Sequence, residues 1–103
     1  MVARVWHGWT READADAYAE LLRSKVFPEA ATAVPGFRGG YVLRRADGAE
    51  VEFEIMTLFD SLDSVRGFAG DDYEVPVIEP DADRLLTHGD ERAVHYEVAV
   101  TPF

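Results

Sequence analysis

The stretch VEFEIMTLFDSLDSVRGFAG (Val51–Gly70) changes rhythm halfway along, and that change decides the fold. Over 51–60 apolar residues alternate with a period of two: Val51, Phe53, Ile55, Thr57 and Phe59 share one face, and Glu52, Glu54, Met56 and Leu58 share the other. From Leu62 the spacing turns helical, with Leu62, Val65, Phe68 and Ala69 facing inward. Asp60 or Ser61 is placed to cap this helix, and Gly70 to stop it. The stretch predicts a strand that runs straight into a helix.

Working outward, Phe37–Ala46 is a second strand, joined to the first by a tight turn at Asp47-Gly48. Gly39-Gly40 inside it predicts a bulge or a close backbone approach. Further upstream, 12–26 predicts a helix, with acidic residues in its opening turns and Tyr18, Leu22 and Val26 along one stripe. Pro28 is expected to end or kink it, with one further turn possible over 29–33 before Pro35-Gly36. Val2–Trp9 (VARVWHGW) predicts a strand with Val5, His7 and Trp9 on one face and Arg4, Trp6 and Gly8 on the other. Downstream, 71–80 is an irregular acidic connection and 80–87 a short helix closed by Gly89. The last strand is 92–101, with Val94, Tyr96, Val98 and Val100 opposite His95 and Glu97.

The order β-α-β-β-α-(α)-β is the split βαβ pattern of a ferredoxin-like α+β fold. It predicts a four-stranded antiparallel sheet with helices on one face, as a single domain over residues 1–103. The other face keeps aromatic and branched residues on several strands. A bare apolar face of that size predicts a homodimer packed sheet to sheet.

Composition narrows the function. The chain has 103 residues, a net charge of −10 and no Cys. Disulfides, thiolate nucleophiles and cysteine-held metals are excluded. The charge is uneven: residues 46–83 hold 12 carboxylates against Arg66 alone, and the rest of the chain is nearly neutral. Such an acidic chain is not expected to bind nucleic acid or an anionic membrane. No apolar run is long enough for a membrane helix, and a cytoplasmic location is expected. No Asn or Gln occurs, so no side-chain amide is available to any mechanism.

The aromatic first strand, AYAELLRSKVFPEAATAVPGFRGGYVLRR, EFEIMTLFDSLDSVRGFAG and the terminal HYEV together resemble the antibiotic biosynthesis monooxygenase family of the dimeric α/β-barrel superfamily. The resemblance spans nearly the whole chain. It implies a homodimeric barrel with a cleft in each subunit between sheet and helices. It also implies oxidation of anthrone-like or quinol compounds by O2 with no metal or flavin. A related branch degrades haem using an Asn on the first strand, a Trp in the helix after the third strand and a His soon after. This chain has no Asn, places Phe68 at the Trp position and has Ile78 near the His position. Many relatives end the third strand with Trp, where this chain has Phe59.

Cofactor-free oxygenation needs a dry aromatic pocket, a base and a donor for the developing oxyanion. The histidines His7, His88 and His95 are the possible bases, and first and last strands that are neighbours could bring His7 and His95 together. His88 fits a helix end, where it complements the dipole. The catalytic candidates are His7, His95, Tyr96 and Arg44, with Arg44 as an oxyanion donor. The substrate-binding candidates are Trp6, Trp9, Tyr41, Phe59 and Phe68. Packing in the core or the dimer is the alternative role for each. No metal site is expected. The sequence therefore predicts a cofactor-independent monooxygenase acting on a small aromatic or quinol-type compound. The alternatives are a non-enzymatic dimeric or stress-associated binder of a hydrophobic ligand, and a haem-binding protein.

Overall fold

A computed structural model describes residues 1–102. Strand β1 (Val2–Arg11) is the centre of the sheet. It pairs antiparallel with β3 (Glu50–Phe59) along its whole length, from Val2 opposite Phe59 to Arg11 opposite Glu50. Beyond β3 lies β2 (Phe37–Asp47), also antiparallel. The two-residue turn that joins them is Gly48-Ala49, one position later than expected. Gly48 has φ of 61°, so it supplies the positive φ that the first central position of a primed turn requires. The bulge appears where the glycine pair predicts it, between Phe37 and Gly40. A Cβ on Gly40 would stand 2.0 Å from the Met56 carbonyl oxygen, which is why no side chain fits there.

The first helical segment differs from expectation. Helix α1 (Ala15–Leu21) continues through a π turn at Leu22–Val26 into α2 (Phe27–Ala33). Pro28 does not stop it. Proline lacks an N–H and crowds the carbonyl four residues back; the wider π turn just upstream relieves that conflict and lets the helix run on. Helix α3 (Leu62–Ala69) matches its reading: the Ser61 hydroxyl accepts from the Ser64 N–H, and Gly70 ends it with φ of 87°. Leu62 is an exception, 37% exposed instead of inward.

The end of the chain departs most. Helix α4 covers only Pro80–Asp83, and Leu86–Gly89 is a strand, β4. The final strand, β5, is Val94–Glu97. Both short strands pair with β1, β4 beside Gly8–Thr10 and β5 beside Val2–Val5. The fourth position of the sheet is thus filled by two pieces, giving five strands. The break between them accommodates Trp6, whose indole N–H donates to the Asp90 carbonyl at 2.8 Å.

The helices cover the face that carries Arg4, Trp6, Gly8 and Thr10. Two buried clusters form there. One joins Ala15, Tyr18, Leu22, Phe53 and Ala82; the other joins Val34, Phe59 and Val65. The opposite face of the sheet is uncovered and exposes Tyr41, Leu43, Val94 and Tyr96. No helix among the described residues is long and apolar enough to cross a membrane.

Candidate functional site

Between the two clusters, a partly open cavity of about 60 Å³ lies between sheet and helices. Its floor is Trp6, Ile55 and Thr57 on the sheet. Leu22, Val26 and Phe27 wall it from the π turn and α2, and Phe68 comes from α3. Pro76, Val77 and Ile78, in the connection after α3, form the remaining wall. Most of this lining is apolar.

Arg4 breaks that pattern. It is only 4% exposed and lines the cavity. Its Nη2 donates to the Val75 carbonyl at 2.8 Å, and its Nη1 donates to the Tyr73 carbonyl. Nη1 also lies 3.1 Å from His95 Nε2. A guanidinium has only donors, so His95 Nε2 accepts and its proton sits on Nδ1. The guanidinium carbon stands 5.6 Å from the Phe68 ring centre. No carboxylate among the described residues forms an ion pair with Arg4. Burial lowers its pKa to about 10, which leaves it charged near neutral pH. Burial, and then the nearby Arg4 charge, hold His95 below the ordinary histidine range, with Glu74 opposing weakly. The other charged residue at the cavity, Glu79, is engaged: it accepts from Lys25 and from the Asp81 and Ala82 N–H groups.

His7 and His95 do not meet. Register places His95 opposite Arg4, on the helix-covered face, while His7 projects to the uncovered face. There it is clamped on both sides: Nδ1 lies 2.8 Å from Asp90 and Nε2 2.9 Å from Glu54. Burial opposes the charged ring, but the bonds to Asp90 and Glu54 outweigh it and raise the pKa. Both nitrogens can donate to carboxylates only when the ring is protonated.

Of the residues singled out from sequence, Trp6 and Phe68 line the cavity and His95 stands just behind Arg4. Phe59 is buried in the second cluster and packs on Phe68. The others lie elsewhere. Trp9 stacks on His88 with ring centres 4.4 Å apart. Tyr41 and Tyr96 lie on the uncovered face and are more than half exposed. Arg44 pairs with Asp16 of α1 at 2.8 Å. Arg4 was missed as a site residue, although the alternation of β1 had already set it beside Trp6. A lone arginine on a face otherwise destined for burial was the available signal. Among the described residues, no group of three or more His, Asp or Glu side chains is arranged to hold a metal ion.

No family model and no curated protein matches the chain. Solved structures do match it along its whole length. A “putative antibiotic biosynthesis monooxygenase” from Nitrosomonas europaea is 12% identical, with a TM-score of 0.66, covering 97% of this chain and 100% of that one. A protein of the same description from Bacillus cereus is 14% identical, with a TM-score of 0.64 over 99% and 94% of the two chains. The heme-degrader MhuD from Mycobacterium tuberculosis, solved with two hemes in its active site, is 19% identical, with a TM-score of 0.60 and 98% coverage of each chain. The fold that these proteins share is the fold of this chain.

Proposed function

We propose that the protein is a cofactor-independent monooxygenase that oxidises a small aromatic or quinol-type compound in the cavity between sheet and helices. The observation that carries this reading is a mostly apolar cavity with one buried cation, Arg4, set into its wall and paired with no carboxylate among the described residues. An anthrone-type substrate binds as its enolate, the enol proton having gone to solvent, and the guanidinium stabilises the oxyanion in a water-poor site. The anion passes one electron to O2, the radical pair recombines to a peroxide anion, a proton from solvent gives the hydroperoxide, and loss of water leaves a carbonyl. One oxygen atom enters the product and the other leaves as water. No metal or flavin takes part.

His95 acts through Arg4 in this scheme, accepting from Nη1 and fixing the guanidinium plane. The working form is a homodimer, packed through the uncovered faces of the two sheets. That packing covers the exposed Tyr41, Leu43, Val94 and Tyr96. The expected location is the cytoplasm.

The test is oxygen uptake by the purified, chelator-treated protein against a panel of anthrones and quinols. Substrate-dependent uptake supports the reading, and none across the panel overturns it. A second reading, a binder without turnover, is favoured by one observation: no imidazole and no free carboxylate lines the cavity. A ligand that co-purifies and returns unchanged under air supports that reading. For haem, Phe68 and Ile78 offer hydrocarbon where the haem-degrading branch has Trp and His. A Soret band on titration would restore that alternative.

A further inference from the structure

The donors of Arg4 can be counted. A guanidinium carries five N–H groups. Nη1 spends both of its own on the Tyr73 carbonyl and His95 Nε2, and Nη2 spends one on the Val75 carbonyl. Among the described residues Nε makes no hydrogen bond and Nη2 makes one. The Nε/Nη2 side of a guanidinium is the edge that a carboxylate, or two neighbouring ring oxygens, engages side-on. Among the described residues no fully buried side-chain nitrogen or oxygen lacks a partner, so Nε, which has none, keeps some accessible surface beside the cavity that Arg4 lines.

The wall facing the cavity is lightly packed. Val75 is held by Arg4, and Glu79 by Lys25. Between these two pins, Pro76, Val77 and Ile78 form a strap outside any helix or strand, with no hydrogen bond of their own. Val77 is 49% exposed and Ile78 37%, so little packing holds the strap down. At about 60 Å³ the cavity holds small molecules only, whereas pockets for drug-sized ligands run to roughly 300–1,000 Å³. A bicyclic aromatic ligand needs more room, and the half-exposed strap is the wall that can yield it.

We propose that the cavity is a binding site for a planar aromatic anion, with its oxyanion on the Nε–H/Nη2–H edge of Arg4 and its ring taking the space under a displaced Pro76–Ile78 strap. This deepens the oxygenase reading by naming the charge state its substrate carries when bound. The Arg4 bonds to Tyr73 and Val75 need not break. They anchor the near end of the strap while its middle swings, so Arg4 serves as both ligand site and hinge post.

The experiment is binding in the absence of turnover, under argon, followed by Trp6 fluorescence and by hydrogen exchange at Val77 and Ile78. The probes are 1-hydroxy-2-naphthoate and its neutral amide. The naphthoate is expected to bind about 10- to 100-fold more tightly than the amide, the span of a charge-assisted hydrogen bond. Exchange at Val77 and Ile78 should slow on binding while the Val75 amide, bonded to the Asp72 carbonyl, keeps its protection. Arg4→Lys keeps the charge but loses the fork and should weaken naphthoate about tenfold. Arg4→Met should remove the preference for the anion. If Arg4→Met does not fold, the wild-type comparison of acid and amide still decides. Equal affinity for acid and amide, or wild-type binding by Arg4→Lys, overturns the proposal. Tight naphthoate binding in a protein that takes up no oxygen with any anthrone or quinol leaves this site standing and removes the oxygenase. Oxygen uptake with no preference for the anion does the reverse.

Discussion

Arg4 Nη1 lies 3.1 Å from His95 Nε2, across the pairing of the first and last strands. An imidazole that accepts from a guanidinium has to be neutral. The pair therefore sets the protonation of His95, and through it the orientation of the guanidinium at the cavity.

The two strand histidines should titrate on opposite sides of the ordinary value. His95 is lowered by burial and by Arg4; His7 is raised because its bonds to Asp90 and Glu54 outweigh burial. Histidine proton resonances followed against pH check this, and a His95 midpoint above that of His7 would contradict it. The linkage follows by sign. His95 contributes stability that is present above about pH 6.5 and is lost as pH falls through its lowered folded pKa. His7 contributes stability that is present below about pH 6.5 and is lost as pH rises through its raised folded pKa. His95→Phe should therefore flatten the acid side of a stability profile, and His7→Phe the side above pH 6.5.

Trp6 leaves no room at its glycine neighbours. A Cβ on Gly8 would stand 2.6 Å from the indole ring, and one on Gly89 2.3 Å from it. Gly89→Ala should destabilise by about 1–3 kcal/mol, the usual range for overpacking. It should also shift Trp6 emission, because the ring must leave the cavity floor. Thermal melting and fluorescence check both, and an unchanged melt with unchanged emission would show the ring is not confined.

Filling the hydrocarbon core is equally constrained. Phe53 is 0% exposed and meets Tyr18 edge to face at 4.9 Å. Phe53→Ala should cost about 3–5 kcal/mol, a large share of a small domain's stability. Urea unfolding measures it. A loss below about 1 kcal/mol would mean that the site collapses without a cavity.

Burying charge in the proposed dimer face should separate the subunits. Tyr96→Glu and Leu43→Glu alter side chains that are exposed in the single chain, so each should fold and yet run at monomer mass in light scattering. Wild-type protein at monomer mass across micromolar concentrations would remove the homodimer.

The features carried by local spacing were legible in the sequence. The alternation of β1 and β3, the Ser61 cap, the Gly70 stop and the bulge at Gly39-Gly40 depend on near neighbours, and each appears in the structure. What was not legible depends on distant ones. Leu86–Gly89 becomes a strand because β1 offers it an edge beside Gly8, a partner nearly eighty positions earlier. The helix survives Pro28 through a π turn that has no spacing signature of its own. Arg4 is buried because two carbonyls about seventy residues away accept its protons, and nothing near position 4 announces them. His7 and His95 are on neighbouring strands, as the topology allowed, but register set them on opposite faces of the sheet.

The central claim is that chemistry takes place at Arg4 in the interior cavity. Turnover of an anthrone under oxygen-18 gas, by wild type, Arg4→Lys and Arg4→Met, tests it most directly. The account predicts one labelled oxygen per product molecule from wild type, an intermediate rate from Arg4→Lys, and a rate about 100-fold lower from Arg4→Met, in line with loss of an oxyanion donor. A wild-type rate from Arg4→Met, or product oxygen drawn from water, would contradict it.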